Sequence, residues 1–323
     1  MNAVPKNNPA PGSPSGTRFA VRPAEGKPFS THKVTPLRHN FHEHPLMQLP
    51  KLAELAGRLA KTDQCRFIIP GSEQGSKFDH TSASPDGRAV DEVFRRMEEP
   101  GSWVALYNVE TDPEYAGFLR EVTDSAREFI DREQPGMFNV GGFIFISAPP
   151  SVTPFHIDRE NNLWLQVKGR KIMNVWDNTD RHVVPGELVD QFIVSGNLDQ
   201  VRLKDGFRER SHEFNVGAGD GVYFPSTSPH MTQTTTDWVR PGDGVSISIG
   251  VVFYTPHTHR DANVHACNVL LRKFGLKPNG PGKNSFVDTL KYLTGRTHVW
   301  IRKTLRGYKP RPGLEPPPVK ASN

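Results

Sequence analysis

The sequence predicts a mostly β core flanked by helices, on three observations. First, Leu163-Trp-Leu-Gln-Val167 and Lys171-Ile-Met-Asn-Val-Trp176 are apolar runs joined by Lys168-Gly169-Arg170, where Gly169 supplies the positive φ that a tight hairpin needs. Second, short apolar runs recur on either side, Phe143-Ile-Phe-Ile146 upstream, and Val222-Tyr-Phe224 and Val245 to Tyr254 downstream. Third, helical spacing of apolar residues is confined to the segments before and after this stretch.

Residues 1–30 are rich in Pro, Gly, Ser and Asn without periodicity, so a disordered tail is expected, reaching to about residue 35. His39, His42 and His44 lack strand context and a carboxylate pair, and read as packing or surface residues. Pro50 to Lys61 reads as a helix with Leu52, Leu55 and Leu59 on one face. Cys65 to Ile69 is a short strand ended by Pro70-Gly71, and Ala89 to Met97 a second helix. Ser102 to Tyr107 is a strand, and Pro113 to Arg132 a long amphipathic helix with Phe118, Val122, Ala126 and Ile130 four apart. The core opens at Phe138. Between Trp176 and Glu213 the pattern is weak, as in a long connection that carries substrate contacts, and His182 and His212 lie within it. Ala262 to Phe274 reads as a helix, Pro278 to Gly282 as a break, and Ser285 as the cap of a helix from Phe286 that Gly295 interrupts before it resumes over Arg296 to Arg306. The tail from Lys309 is Pro-rich and reads as loose.

At 323 residues the chain suits one core with extensions. Two cysteines, Cys65 and Cys267, exclude a disulfide framework or a Cys-rich zinc site. No apolar run approaches the ~20 residues of a membrane span, and the N-terminus lacks a signal core, so a cytoplasmic home is expected. Charge is uneven. Residues 271–323 hold 12 Lys+Arg and 2 Asp+Glu, a net of +10, against 28 and 33 in the rest, a net of −5. The basic character therefore belongs to the C-terminus, where it suits an acidic partner such as nucleic acid. Apolar faces on the same helices suit docking, as across a homodimer.

The chemistry lies in Val152 to Lys171. His156 and Asp158 are two apart, so on a strand they share a face. A third donor, His230, follows 74 residues later, after a strand and a proline-bounded turn. Two His and one carboxylate cap one face of an octahedral metal and leave the other open, the arrangement of non-haem Fe(II) oxygenases. Lys171, fifteen residues after His156, shares its strand face with Met173 and Val175. An ammonium on an apolar face is costly unless an anion meets it, so Lys171 reads either as an edge-strand lysine that reaches solvent or as the partner of a 2-oxo acid's distal carboxylate, and the two His and one Asp nearby favour the second.

With Thr153-Pro-Phe-His-Ile-Asp158, Gln166-Val-Lys-Gly-Arg-Lys171 and Asp220-Gly-Val-Tyr-Phe-Pro225 through Pro229-His230, the chain resembles the JmjC or cupin-like family of 2-oxoglutarate oxygenases, in particular the protein-hydroxylase branch typified by the asparaginyl hydroxylase of hypoxia-inducible factor. The resemblance spans about Phe138 to Tyr254. It implies a double-stranded β-helix (jelly-roll) core, Fe(II) on His156, Asp158 and His230, the C5 carboxylate of 2-oxoglutarate on Lys171 and Thr153, and Asn162 near its other end. Gly250 stands where a polar cosubstrate contact is common in the family. The implied reaction consumes O2 and 2-oxoglutarate, releases succinate and CO2, and hydroxylates a C–H bond. The substrate stays open between a protein side chain, a small molecule and nucleic acid. The alternatives are a metal-binding cupin that does not use 2-oxoglutarate and a catalytically silent binding module. The expected organisation is a tail over 1–35, an oxygenase domain over 36–256 with its core at about 138–254 and an α/β N-terminal frame, a basic helical extension over 257–310, and a flexible tail over 311–323.

Overall fold

A computed structural model describes residues 19–68, 72–77, 79–84 and 86–318. The N-terminal frame runs β1 (Val21–Pro23), β2 (Thr35–His39), α1 (Leu49–Leu59), β3 (Cys65–Ile68), β4 (His80–Thr81), α2 (Val90–Arg95), β5 (Trp103–Leu106) and α3 (Pro113–Ile130). The residues expected to be a tail up to 35 are therefore partly structured. β1 pairs with β2, Glu133 accepts hydrogen bonds from the Thr31 amide and hydroxyl, and the Tyr223 hydroxyl donates to the Thr31 carbonyl. Such long-range anchors leave no periodic trace in a short polar segment. Residues 1–18 of the expected tail, and Ile69 to Gly71, lie outside the described residues. α3 starts where Pro113 follows Asp112, whose carboxylate accepts from the Glu114 amide and supplies the N-cap.

Eight strands make the core: β6 (Phe138–Ser147), β7 (Ser151–His156), β8 (Asn161–Lys168), β9 (Lys171–Val175), β10 (His212–Val216), β11 (Asp220–Phe224), β12 (His230–Thr234) and β13 (Ser246–Tyr254). They form two antiparallel sheets in the orders β11-β8-β13-β6 and β10-β9-β12-β7, a double-stranded β-helix. The first sheet continues through β2 and β1 at one edge and through β5, β3 and β4 at the other. Alternation within β8 explains the layers. Leu163, Leu165 and Val167 face out and pack with α1 and α3, while Trp164 faces in, with Met173, Val175, Val222 and Phe224.

The connection between β9 and β10 contains a helix, α4 (Gly186–Ser195), where the sequence is only moderately patterned. α4 buries Val189, Phe192 and Ile193 with Trp176 and Met231 from the outer face of the second sheet, and with Ala262 and Ala266 of α5 (Pro256–Lys273). α5 begins six residues before the expected start, because Thr255 and Thr258 form a reciprocal capping box. α6 (Ser285–Arg306) is capped by Asn284 rather than Ser285, and it runs unbroken through Gly295. A Cβ at Gly295 would lie 1.9 Å from the Asn263 carbonyl oxygen, so this glycine lets α6 approach α5 and does not interrupt it. The tail expected to be loose from Lys309 folds back over residues 308–315. Leu314 is 2% exposed, and Tyr308 and Arg311 donate to the carbonyls of Val194 and Ser195 at the end of α4. Among the described residues no helix is long and apolar enough to cross a membrane.

Candidate active site

β7 and β12 are neighbours in the second sheet, and His230 stands directly opposite His156 in their register. Register alone thus joins two imidazoles 74 residues apart in the chain. Asp158 follows two residues after His156, beyond the strand end. Its carbonyl accepts from the Thr227 amide at 2.8 Å, and the Ser226 hydroxyl donates to the Arg159 carbonyl at 2.7 Å. The proline-bounded turn from Pro225 to Pro229 therefore clamps the Asp158 loop while it delivers His230. Potential ligand atoms of His156, Asp158 and His230 lie within 4.8 Å of one another, and no other such group of His, Cys, Asp and Glu occurs among the described residues.

Each imidazole is held by a backbone carbonyl. His156 Nδ1 lies 2.7 Å from the Pro154 oxygen, and His230 Nδ1 lies 3.1 Å from the Ser228 oxygen. A carbonyl only accepts, so both Nδ1 atoms carry a proton, which leaves Nε2 as the available ligand atom of each ring. This is the orientation that a metal ligand requires. Burial lowers the pKa of His230 to about 4, and His156 beside it acts in the same direction. His230 is therefore neutral near pH 7. Its Nε2 lies 3.5 Å from Asp158 Oδ2, and Asp158 is the most open member at 33% side-chain exposure.

Lys171 opens β9 and points across the barrel to β13. It is 3% exposed, and its ammonium donates to Ser248 Oγ at 3.3 Å. No carboxylate pairs with it among the described residues, and burial alone pushes its pKa down to about 7. The six residues singled out from sequence, Thr153, His156, Asp158, Asn162, Lys171 and His230, line one cavity, together with Phe143, Phe145, Trp164, Thr232 and Ser248. Thr153 is paired in register with Thr232 across β7 and β12. Asn162 projects from β8 beside Gly250, where a Cβ would meet Asn162 Oδ1 at 3.2 Å. Gly250 thus leaves the space into which Asn162 reaches. The buried Asn162 Oδ1 has no hydrogen-bond partner among the described residues.

Sequence reasoning missed Ser248, Thr232, Phe143 and Phe145. One signal for Ser248 was present. In Val245-Ser-Ile-Ser-Ile-Gly250 the polar residues alternate with apolar ones, which marks a polar row on one strand face. The other histidines among the described residues do not line the cavity. His39 contacts the Gln166 and Asp220 carbonyls, His44 packs on Phe118, His182 on Phe207, and His212 lies at the surface beside Asp177. His259 contacts the Gly313 carbonyl, and His265 the Asp190 carboxylate.

No family model matches the chain, and no curated protein does. Among solved structures it is similar to that of the Escherichia coli ribosomal oxygenase YcfD, at 16% identity and a TM-score of 0.45, over 85% of this chain and 65% of that one. The structure of YcfD in complex with cobalt and 2-oxoglutarate gives 17% identity and a TM-score of 0.44, over 85% of this chain and 64% of that one. The complex with cobalt and succinic acid gives 16% and 0.44, over 85% and 65%. The chain thus spans just under two thirds of the YcfD chain.

Proposed function

We propose that this protein is a 2-oxoglutarate-dependent oxygenase that uses Fe(II) at His156, Asp158 and His230 and hydroxylates a C–H bond of its substrate. Lys171 is the observation that carries the reading. Its ammonium is buried in the cavity that the metal-ligand set also lines, and among the described residues it meets only the Ser248 hydroxyl. A buried cation without a counter-charge is costly, and a dicarboxylate that reaches from the metal to Lys171 removes that cost. The residues present fit both groups. The donor set is two imidazoles and one carboxylate, and the rest of the cavity offers an ammonium and hydroxyls.

Ferrous iron and 2-oxoglutarate together supply the oxidising chemistry, with O2 consumed, succinate and CO2 released, and hydroxyl inserted at the C–H bond. The chain positions these groups. The Pro154 and Ser228 carbonyls fix the imidazole tautomers. Lys171 would hold the distal carboxylate with the Thr153 hydroxyl, and the unpartnered Asn162 side chain would serve the other end of the cosubstrate. Phe143, Phe145 and Trp164 keep the walls apolar, which strengthens the ion pair. The substrate carbon would approach past Asp158, the open member of the set. A reducing cytosol, which keeps iron ferrous, suits this chemistry.

Metal analysis joined to a succinate-release assay tests the reading. His156→Ala with His230→Ala should remove bound iron, and Asp158→Ala should abolish turnover while the fold persists. Unchanged iron in the double variant would overturn the metal assignment. Iron binding without 2-oxoglutarate-dependent absorption would leave a cupin of another chemistry, and neither would leave a binding module.

A second observation bears on assembly. The outer face of α6 carries Phe286, Leu290, Leu293, Thr297, Trp300 and Thr304 at alternating spacings of four and three. That is the seam spacing of helix-to-helix packing. Phe286 is 72% exposed and Trp300 62%. Leu290 is 51% exposed and Leu293 52%, so four large apolar side chains of this row face solvent. We infer that a second copy of the chain packs there through α6.

A further inference from the structure

We propose a second binding pocket, separate from the metal-ligand cavity, that takes the phosphate or carboxylate group of a small molecule on Arg181. The pocket is about 330 Å³, within the range of small-molecule sites. One wall is the α5 row of His257, Asp261 and His265, spaced four apart on one helix face. The opposite wall is Asn178, Thr179 and Arg181, in the connection after β9. The Pro225 to Thr227 turn lines it too, as does His32, whose ring meets that of His257 edge-on.

The charges around Arg181 do not balance. Arg181 is half-buried and makes no hydrogen bond or ion pair among the described residues. Every carboxylate near it is already engaged. Asp190 accepts from His265 at 2.6 Å, from Asn268 at 3.1 Å and from Arg272 at 2.8 Å. Asp180 pairs with Arg210 at 2.7 Å, and Asp261 with His257 at 3.3 Å. Asp190 and Asp180 act on Arg181 only at longer range, and burial works against its charge. A guanidinium presents a planar fork of N–H donors that matches an oxyanion's two oxygens. An oxyanion in the pocket would complete this set.

Binding is tested on the full chain with inorganic phosphate and, separately, malonate, by thermal shift and calorimetry at constant ionic strength. Wild-type protein should bind at least one of them, and the tighter of the two identifies phosphate or carboxylate as the preferred group. Lys171→Met should leave that binding unchanged, which separates the pocket from the metal-ligand cavity. Arg181→Gln should weaken it roughly ten- to a hundredfold, the loss of one charge-assisted contact. Asn178→Asp, which adds a negative charge to the same wall, should act in the same direction and serves if Arg181→Gln fails to fold. The proposal is overturned if wild type binds neither anion, if Lys171→Met abolishes the binding, or if a folded Arg181 or Asn178 variant binds as wild type does.

Discussion

At Lys171 a pH dependence of cosubstrate binding is expected. Burial brings its pKa from 10.5 to about 7, so the free protein loses that proton as pH rises through neutrality. A carboxylate ligand needs the ammonium form. Apparent affinity for 2-oxoglutarate should therefore be flat below about pH 7 and weaken about tenfold per pH unit above it, as each binding event takes up a proton. Lys171→Met keeps the apolar stem and removes the charge. It should weaken 2-oxoglutarate roughly ten- to a hundredfold at neutral pH, abolish the pH slope and leave iron bound. Titration of the metal-to-ligand absorption of both proteins across pH reads all three outcomes, and a slope that persists in the variant would remove Lys171 as its source. Thr153→Val removes one neutral hydroxyl and should weaken the same titration less.

At the scale of the element, Gly295 is what lets α5 and α6 come so close. The Gly295 Cβ position lies within the Asn263 carbonyl, with the Cys267 amide 3.1 Å away, and neither is a flexible side-chain end. Gly295→Ala must therefore separate the two backbones, although alanine is the better helix former. Overpacking of this kind costs about 1–3 kcal/mol, so the variant should melt several degrees lower while helical circular dichroism before the transition stays near wild type. An unchanged melting temperature would mean that the helices do not cross as closely as this. Gly57, on the exposed side of α1, has nothing within 4 Å of its Cβ position and serves as the comparison, since Gly57→Ala should be neutral or mildly stabilising.

For the molecule as a whole, the proposed packing of a second copy on the uncharged α6 seam predicts the state of assembly. Leu290→Asp with Trp300→Asp places two carboxylates in it without touching the buried face of Asp288, Lys291, Gly295 and Val299. Sedimentation should show a dimer for wild type and a monomer for the double variant, both with the same iron content. A wild type that stays monomeric at micromolar concentration would dismiss the second copy as occupant. Capture of nucleic acid by that monomer would point instead to the basic flanks of the same extension.

The sequence by itself determined the core and which residues meet in the candidate site. His156 and Asp158 two apart, a strand leading to His230, and an ammonium on an apolar face at Lys171 could be read because strand periodicity is local and because a charge among apolar residues demands a reason. The long N-terminal helix was legible on the same ground, since its apolar stripe repeats along contiguous sequence. Only the tertiary structure decided the rest, because those features depend on contacts between segments far apart in the chain. The Val21–Pro23 strand exists through its pairing with β2, the 308–315 tail is held by α4 and by burial of Leu314, and α4 is defined by what it covers. Gly295 reads locally as a break because its use is a neighbouring backbone, and Gly250 reads locally as a missing contact because its use is the space that Asn162 occupies. Arg181 looks like any loop arginine until the fold assigns every nearby carboxylate to another partner.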